Sequence, residues 1–252
     1  MMTNKQIRGK SAALLAGVVL GAGAVASANA AMSFSATSGS RSAQAEFDII
    51  SGNLVVTLKN TSGADVLVPS EILTALFFDI SGSPVALTPV SALLAPGSVV
   101  WFDTPPAGGN VGGEWAYGSG LVGAPMGAKY GISSAGFGLF GQFNFNGPDL
   151  DPPPAVNGLN YGITSAGDNM LTGNSAVTGG NPLIHNAVTF TLSGAGAGFD
   201  LGRIGNVSFQ YGTALNEPNI VVPEPTTMIA GALLLLPFAA STFRFVRRRK
   251  QA

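Results

Sequence analysis

The sequence predicts an all-β protein: a single antiparallel β-sandwich-like domain, flanked by an N-terminal signal helix and a C-terminal transmembrane helix. Between the two ends of the chain, apolar residues come in short runs that alternate with polar residues, which is the period of strands with one buried face. The 252 residues include 35 glycines and 16 prolines, and 10% are charged. This composition indicates many turns between short strands.

The first 30 residues have the parts of a signal peptide. Their basic residues are Lys5, Arg8 and Lys10. A small-residue apolar stretch over residues 11–25 follows and leads to a cleavage site of the A-x-A type. The predicted signal-peptidase site consists of Ala28, Ala30 and Ala31. We therefore expect signal peptidase and the export machinery as partners, and a mature chain that begins at Ala31.

Residues 31–221 are predicted to form one exported all-β domain. The chain has no cysteine, so disulfides, a thiolate nucleophile and a zinc–thiolate cluster are excluded. From Ala31 to Pro225, thirteen acidic residues face four basic ones, which gives a net charge of −9. The four basic residues are Arg41, Lys59, Lys129 and Arg203. Such a surface repels nucleic acid, which is therefore not expected as a partner.

The first half of the domain carries clear strand signals. Residues 43–50 and 53–59 flank Ser51-Gly52 and predict a hairpin. Leu73–Ile80 is almost continuously apolar, which predicts a strand covered on both faces. Shorter strands are expected over residues 85–88 and 98–102.

The second half begins with an internal echo, because Tyr130–Gly136 recurs as Tyr161–Gly167 with a single change. Two copies are fewer than a solenoid needs, so we expect two similar strand–turn segments within one sandwich. Between them, residues 137–145 alternate aromatics with glycine and polar residues, and we expect the aromatics to pack in the core. Residues 183–192 and 207–211 are predicted as strands on either side of a turn at 194–198.

Few residues could carry catalysis. His185 is the only histidine, no G-x-S-x-G elbow presents a serine to it, and it lies at the start of a predicted strand. The loop with Asp149 and Asp151 lacks the spacing of a known calcium loop. Nothing singles out a carboxylate pair for glycoside hydrolysis among the thirteen acids. We expect a protein that is not an enzyme, with no catalytic residue, no metal and no cofactor.

The end of the chain combines three features. Pro223-Glu224-Pro225 is stiff and extended, because proline fixes its own φ and restricts the residue before it. Residues 226–243 carry no charge and, as a helix, would cover about 27 Å, close to the thickness of bilayer hydrocarbon. The basic residues of the final segment, 244–252, are Arg244, Arg247, Arg248, Arg249 and Lys250. Positive charge is retained on the cytoplasmic side, so the domain before the span is predicted to face outward.

This order of parts over residues 222–250 resembles the PEP-CTERM sorting signal. The resemblance implies a Gram-negative surface protein that is a substrate of exosortase, a membrane-embedded transpeptidase-like cysteine enzyme. It implies that Pro223, Glu224 and Pro225 mark the processing region, while residues 226–243 hold the chain in the inner membrane. Residues 54–94 are similar to the body of one subgroup of such proteins.

The resemblance implies a structural or adhesive role at the cell surface or in a biofilm matrix, with exopolysaccharide as a further partner. Three alternatives stay open at this point. The chain could be an ordinary tail-anchored protein in which Pro-Glu-Pro stiffens the neck. It could also be a secreted carbohydrate-active enzyme, with two carboxylates about 5 to 10 Å apart in a cleft. A glycan- or calcium-binding module would instead show an exposed aromatic strip or a clustered acidic loop.

Overall fold

The computed structural model describes residues 30–104, 106–141, 144–152, 156–172, 177 and 180–223. Within this part, the chain forms short strands joined by turns and three-residue 3₁₀ segments, with no helix of seven or more residues. The prediction of an all-β protein is confirmed. In chain order the strands are β1 Met32–Ser38, β2 Arg41–Ile50, β3 Asn53–Asn60, β4 Leu73–Ile80, β5 Thr88–Leu94, β6 Val99–Trp101, β7 Ala116–Ser119, β8 Tyr130–Ser133, β9 Gly162–Thr164, β10 Leu183–His185, β11 Ala187–Ser193, β12 Ile204–Tyr211 and β13 Asn219–Val221.

The strands form two sheets. The first sheet has five antiparallel strands in the order β1-β2-β3-β11-β5. The second has eight strands, in the order β13-β12-β4-β9-β10-β6, with β8 paired to β4 and β7 paired to β8. Strands β9 and β10 pair in parallel, which differs from the antiparallel pattern predicted. A parallel pair needs a long crossover instead of a tight turn, and residues 165–182 provide that length.

One hydrophobic core joins the two sheets. The ring of Phe47 on β2 meets that of Phe78 on β4 edge to face, with the centroids 5.4 Å apart. Trp115 belongs to the same core, and its ring is tilted against that of Phe190 on β11 with the centroids 4.9 Å apart. Every second side chain of β3 is buried, namely Leu54, Val56, Leu58 and Asn60. The alternation of apolar and polar residues that predicted this strand therefore corresponds to the alternation of buried and partly exposed side chains.

The two strongest local predictions are confirmed. Strands β2 and β3 form a hairpin in which Ile50 lies opposite Asn53 across Ser51-Gly52. Strand β4 covers Leu73–Ile80, and seven of its eight residues are buried. It is buried on both faces because the main core lies on one side, while Phe77 packs on the other side against Phe140, 6.0 Å away.

Two strand predictions are wrong in their bounds. Residues 85–87 are not a strand; Val85 N lies 3.4 Å from the hydroxyl of Tyr130 instead of a neighbouring strand, and β5 begins at Thr88. Residues 183–192 form two strands because Asn186 adopts a left-handed conformation with φ of 93°. At this residue the chain passes from the eight-stranded sheet to the five-stranded one.

The two copies of the internal echo lie along the same strand. In the first copy, β8 pairs antiparallel with β4 from Ala75 to Phe78. In the second copy, Ile163 of β9 pairs with Leu73 of β4. Each copy thus contributes a short strand to the same sheet, and the repeat lets these two strands follow each other along one edge of β4.

Candidate sorting site at the C-terminal end of the domain

The described chain leaves the domain directly from its last strand. Strand β13 is the outer strand of the eight-stranded sheet and pairs with β12, with Val221 opposite Ser208. One residue further, Val222 N donates to Val207 O at 2.9 Å. Pro223 is the last described residue, so the predicted tripeptide begins two residues after the strand ends.

A surface cavity of about 230 Å³ lies where the chain leaves the sheet. We call it the exit cavity, and its lining includes Phe34, Ser81, Arg203, Val207, Val222 and Pro223. Strand β12 is irregular at this point, because its register with β4 shifts between Gly205 and Ser208, and Asn206 has a φ of 49°. The irregular stretch belongs to the same lining, which also contains residues 202–207.

Arg203 is held in place at the exit cavity. Its Nε donates to Ser81 O at 2.8 Å and its Nη2 to Ser83 O at 2.6 Å. The guanidinium carbon lies 5.3 Å from the centroid of the Phe199 ring, a cation–π distance. Both hydrogen bonds go to neutral carbonyl groups, so they fix the position of the cation without neutralising its charge.

The N-terminal end of the domain meets the C-terminal end at this cavity. Ala30 and Ala31, two residues of the predicted signal-peptidase site, are exposed and directly precede β1. Phe34 of β1 then lines the exit cavity together with Pro223. The first strand and the last described residue therefore meet at the same cavity.

The remaining predicted site residues lie outside the described residues. They are Ala28, Glu224, Pro225, Arg244, Arg247, Arg248, Arg249 and Lys250. The predicted transmembrane segment, residues 226–243, also lies outside them. Within the described part of the chain, no helix has both the length and the apolar composition to cross a membrane.

His185 takes part in aromatic packing. It ends β10 and is half-buried, as expected for a strand residue. Its ring stacks on the indole of Trp101 in the neighbouring strand β6, with the centroids 4.6 Å apart and the planes at 17°. One face of the imidazole ring is thus covered by the indole ring of Trp101.

Two carboxylates that are far apart in sequence come together where two loops meet. Asp168 accepts hydrogen bonds from Val66 N and from the hydroxyl of Thr164. Asp65 accepts from Asn169 N and from the hydroxyl of Thr172. All four carboxylate oxygens have a protein donor, so this pair joins two loops. Sequence analysis missed the pair because nothing in the local pattern links residues that are 103 positions apart.

A second acidic group surrounds the buried Glu114. Its Oε1 accepts hydrogen bonds from Leu150 N at 2.5 Å and from Asp151 N at 3.0 Å. The side chain of Asp151 in turn accepts a hydrogen bond from Asn160, and Asp103 accepts one from the hydroxyl of Tyr161. Burial, together with the negative charges of Asp149 and Asp151, raises the pKa of Glu114 against the lowering effect of its two hydrogen bonds. In the described part of the chain, no three acidic or histidine side chains are placed to bind a metal ion.

The aromatic segment between the repeats packs inward where it is described. Phe140 and Phe145 are buried, and Phe145 lies 5.3 Å from the ring of Phe190. The prediction of core packing is confirmed for these two residues, while Phe143 lies outside the described residues.

Comparisons of the chain with protein-family models, with curated proteins and with solved structures found no match.

Proposed function

We propose that this chain is an exported structural or adhesive protein of the cell surface or the extracellular matrix of a bacterium with an outer membrane. Its signal peptide would direct it to the inner membrane, where residues 226–243 form a transmembrane helix and the arginine-rich end stays in the cytoplasm. Exosortase would then process the chain at Pro223-Glu224-Pro225. The β domain is the part delivered, and exopolysaccharide is its expected surrounding.

The observation that carries this proposal is the three-part C-terminal segment, whose first residues follow directly on the last strand. A cut after Pro223 would leave β1 to β13 complete. Release would therefore not cost the domain any of its hydrogen-bonded strands. If the transmembrane segment were instead part of the folded domain, cleavage would remove a piece of that domain.

The position of the two chain ends supports the same proposal. A domain that is attached at both ends to one membrane needs both ends on one side, and Phe34 and Pro223 line the same cavity. The domain can fold in this arrangement before either attachment is cut. The net charge of −9 between Ala31 and Pro225 and the lack of cysteine suit a soluble domain that folds outside the cell through its core alone.

The test is the intact mass and the C-terminal peptide of the protein from its native host, with and without the host's exosortase. We expect the surface form to lack residues 226–252 only when the enzyme is present. Glu224→Ala, or neutral residues in place of Arg247 to Lys250, should leave precursor in the inner membrane. A surface form that keeps Arg249 and Lys250 in both strains would instead support a permanent anchor with a stiff neck.

A second candidate function, carbohydrate binding, is favoured by a groove on the side of the sandwich. Two cavities of about 350 and 440 Å³ share Ser119 at the end of β7. Tyr117, Gly118 and Ser119 of β7 line the cavity of about 350 Å³, and the hydroxyl of Tyr117 is buried at its wall. Sugars offer the hydroxyl groups that such an oxygen could bind.

Isothermal titration with the host's purified polysaccharide separates this candidate from a purely structural role. Tyr117→Phe should weaken binding, because it removes the hydroxyl and keeps the ring. Tyr211→Phe is the matched control, since Tyr211 also has a buried hydroxyl but does not line the groove. If both variants bind the polysaccharide with equal heats, the groove is not the binding site.

A further inference from the structure

Strand β1 is an open edge of the five-stranded sheet. It stands at one end of the strand order and pairs with β2 through all seven of its residues, without a register shift. Along its other side, its main-chain N–H and C=O groups have no hydrogen-bond partner in the described part of the chain. Such a row of unpaired groups on a regular strand can pair with a strand of another chain.

The turn between β1 and β2 decides which groups of β1 face outward. Ser38 pairs with Arg41 across a two-residue turn whose glycine has a φ of 59°. The two residues that flank such a turn exchange hydrogen bonds, and from there bonded and non-bonded pairs alternate along the strands. The outward N–H and C=O groups are therefore those of Ser33, Ser35 and Thr37, whose side chains are also exposed.

The other edges of the two sheets are short or covered within the described residues. Strand β5, at the other end of the same sheet, contains Pro89, and its Ala92 O accepts a hydrogen bond from Val111 N. Strands β6 and β13 have three residues each. Strand β7 has four residues, and its Ala116 forms a bridge with Asn144. Strand β1 is longer and contains neither proline nor charge, the features that usually block an edge.

We propose that β1 pairs antiparallel with β1 of a second copy of this chain, with the two-fold axis at Ser35. Ser35 of one copy then faces Ser35 of the other, and Ser33 of each copy faces Thr37 of the other. These facing residues exchange about six main-chain hydrogen bonds. The five-stranded sheets of the two copies become one continuous sheet, and both open edges are closed.

A second copy suits this edge because the edge is self-complementary. Its three outward residues carry small hydroxyl side chains, arranged symmetrically about Ser35. The outer face of the sheet already joins neighbouring strands through hydroxyl pairs. Thr37 Oγ1 lies 2.8 Å from Ser42 Oγ, and Thr57 Oγ1 lies 3.1 Å from Thr189 Oγ1. Pairing of two β1 strands continues this pattern, and cross-strand Ser and Thr pairs stabilise antiparallel sheets.

The net charge of the domain predicts how salt affects the pairing. From Ala31 to Pro225 each copy has a net charge of −9, whereas β1 itself is uncharged. Two copies therefore repel each other at long range, while the contact itself contains no ion pair. Salt screens the repulsion, so the dimer should become tighter as salt is added. An interface built on ion pairs would respond in the opposite way.

Single cysteines test both the pairing and its register, because the chain has no cysteine of its own. Full-length Ser35→Cys, Ser33→Cys and Thr37→Cys are oxidised in detergent with copper phenanthroline, and non-reducing gels measure the dimer. Ser35→Cys should form a disulfide dimer, since facing Cα atoms lie about 5.5 Å apart. Ser33→Cys alone should not, because its two copies lie about 14 Å apart along the strands. A mixture of Ser33→Cys and Thr37→Cys should crosslink again.

The single variants also control for contact through other parts of the chain. Dimers that form through the detergent micelle or through another segment would crosslink Ser33→Cys as readily as Ser35→Cys. Equal crosslinking of these two variants, or no crosslinking of Ser35→Cys, would overturn the proposal. Crosslinks of Ser35→Cys in host membranes to other proteins alone would assign the edge to a foreign strand and would overturn the pairing of two copies.

Sedimentation of the full chain in detergent provides a test without cysteine. The wild-type dimer should become tighter from about 0.05 M to about 0.5 M salt. Ser35→Lys places two positive charges at the axis and should raise the dimer Kd by about ten-fold or more. Val55→Lys is the matched control, because Val55 lies on β3 opposite Asp48, two strands away from the edge, and it should leave Kd nearly unchanged. A monomeric wild type, or equal Kd values for the two lysine variants, would contradict pairing through β1.

Discussion

Asp65 and Asp168 each accept a hydrogen bond from the main chain next to the other. Val66 N donates to Asp168 Oδ1 at 3.0 Å, and Asn169 N donates to Asp65 Oδ1 at 2.9 Å. Burial and the neighbouring Asp65 raise the pKa of Asp168, although hydrogen bonds from Thr164 and Val66 oppose them. The pKa of Asp65 is lowered, first by its hydrogen bond from Thr172 and then by that from Asn169. Because the two pKa values are shifted in opposite directions, Asp168 is the first of the two carboxylates to take up a proton as the pH falls.

Asp168→Asn should stabilise the protein at neutral pH. A folded pKa that is raised favours the fold at low pH, and this contribution is lost as the pH rises through that pKa. The amide keeps an acceptor for Val66 N and removes the charge next to Asp65. We expect a gain in unfolding free energy of less than about 1 kcal/mol at pH 7, measured by urea denaturation, that disappears at low pH.

Asp65→Asn is the control for this pair, because its effect on the free energy of unfolding should have the opposite sign. The lowered pKa of Asp65 contributes stability above its unfolded pKa, and this is lost as the pH falls through the folded pKa. The variant should therefore be less stable than the wild type at pH 7 and approach it in acid. A stabilising effect of both variants at pH 7 would mean that simple charge repulsion, and not the hydrogen-bond pattern, governs the two loops.

Substitutions of Glu114 should separate its charge from its hydrogen bonds. Glu114→Ala leaves Leu150 N and Asp151 N without their acceptor and should lower the unfolding free energy by about 2 kcal/mol. Glu114→Gln keeps the acceptor and removes the charge that burial disfavours. It should be at least as stable as the wild type at pH 7 in urea denaturation. Equal losses in the two variants would show that the ionised carboxylate itself is needed.

The two copies of the internal echo should respond differently to the same change. A Cβ at Gly167 would lie 2.2 Å from Gly63 O, which is a main-chain clash. A Cβ at the equivalent Gly136 would lie 3.3 Å from Val156 O, a tight contact that a small shift relieves. Thermal unfolding should therefore show a loss of several degrees for Gly167→Ala and a much smaller one for Gly136→Ala. Equal losses would contradict the close approach of the two loops.

The local elements of this fold were predictable from sequence, whereas the pairing of strands that are distant in the chain was not. Strand β4 and the β2–β3 hairpin depend on an apolar run and on a turn pattern within a few residues. The parallel pair of β9 and β10 depends on how the chain crosses the sheet. Residues 85–87 are apolar enough for a strand, but the site opposite Val85 N is taken by the hydroxyl of Tyr130, 45 positions away.

The candidate site likewise has a part that the sequence predicts and a part that depends on the fold. The tripeptide, the apolar segment and the basic end form one contiguous pattern, so the sequence alone predicts them. Arg203 comes to line the exit cavity together with Pro223 only through the fold, where Ser81 and Phe199 hold its guanidinium group. Its sequence neighbourhood, Leu-Gly-Arg-Ile, contains no signal that distinguishes it from any surface arginine.

The turn of the β2–β3 hairpin offers a stabilising substitution. Ser51 and Gly52 both have positive φ, 51° and 79°, which is the type I′ geometry favoured in two-residue hairpins. Asparagine tolerates this conformation better than serine, while a β-branched residue strongly disfavours it. Ser51→Asn should raise the unfolding free energy by a few tenths of a kcal/mol, and Ser51→Val should lower it by about 1 kcal/mol. Gly52 O accepts a hydrogen bond from Gly196 N at 2.9 Å, so a contact from outside the hairpin also holds the turn. Urea denaturation midpoints in the reverse order would show that the turn has a different geometry.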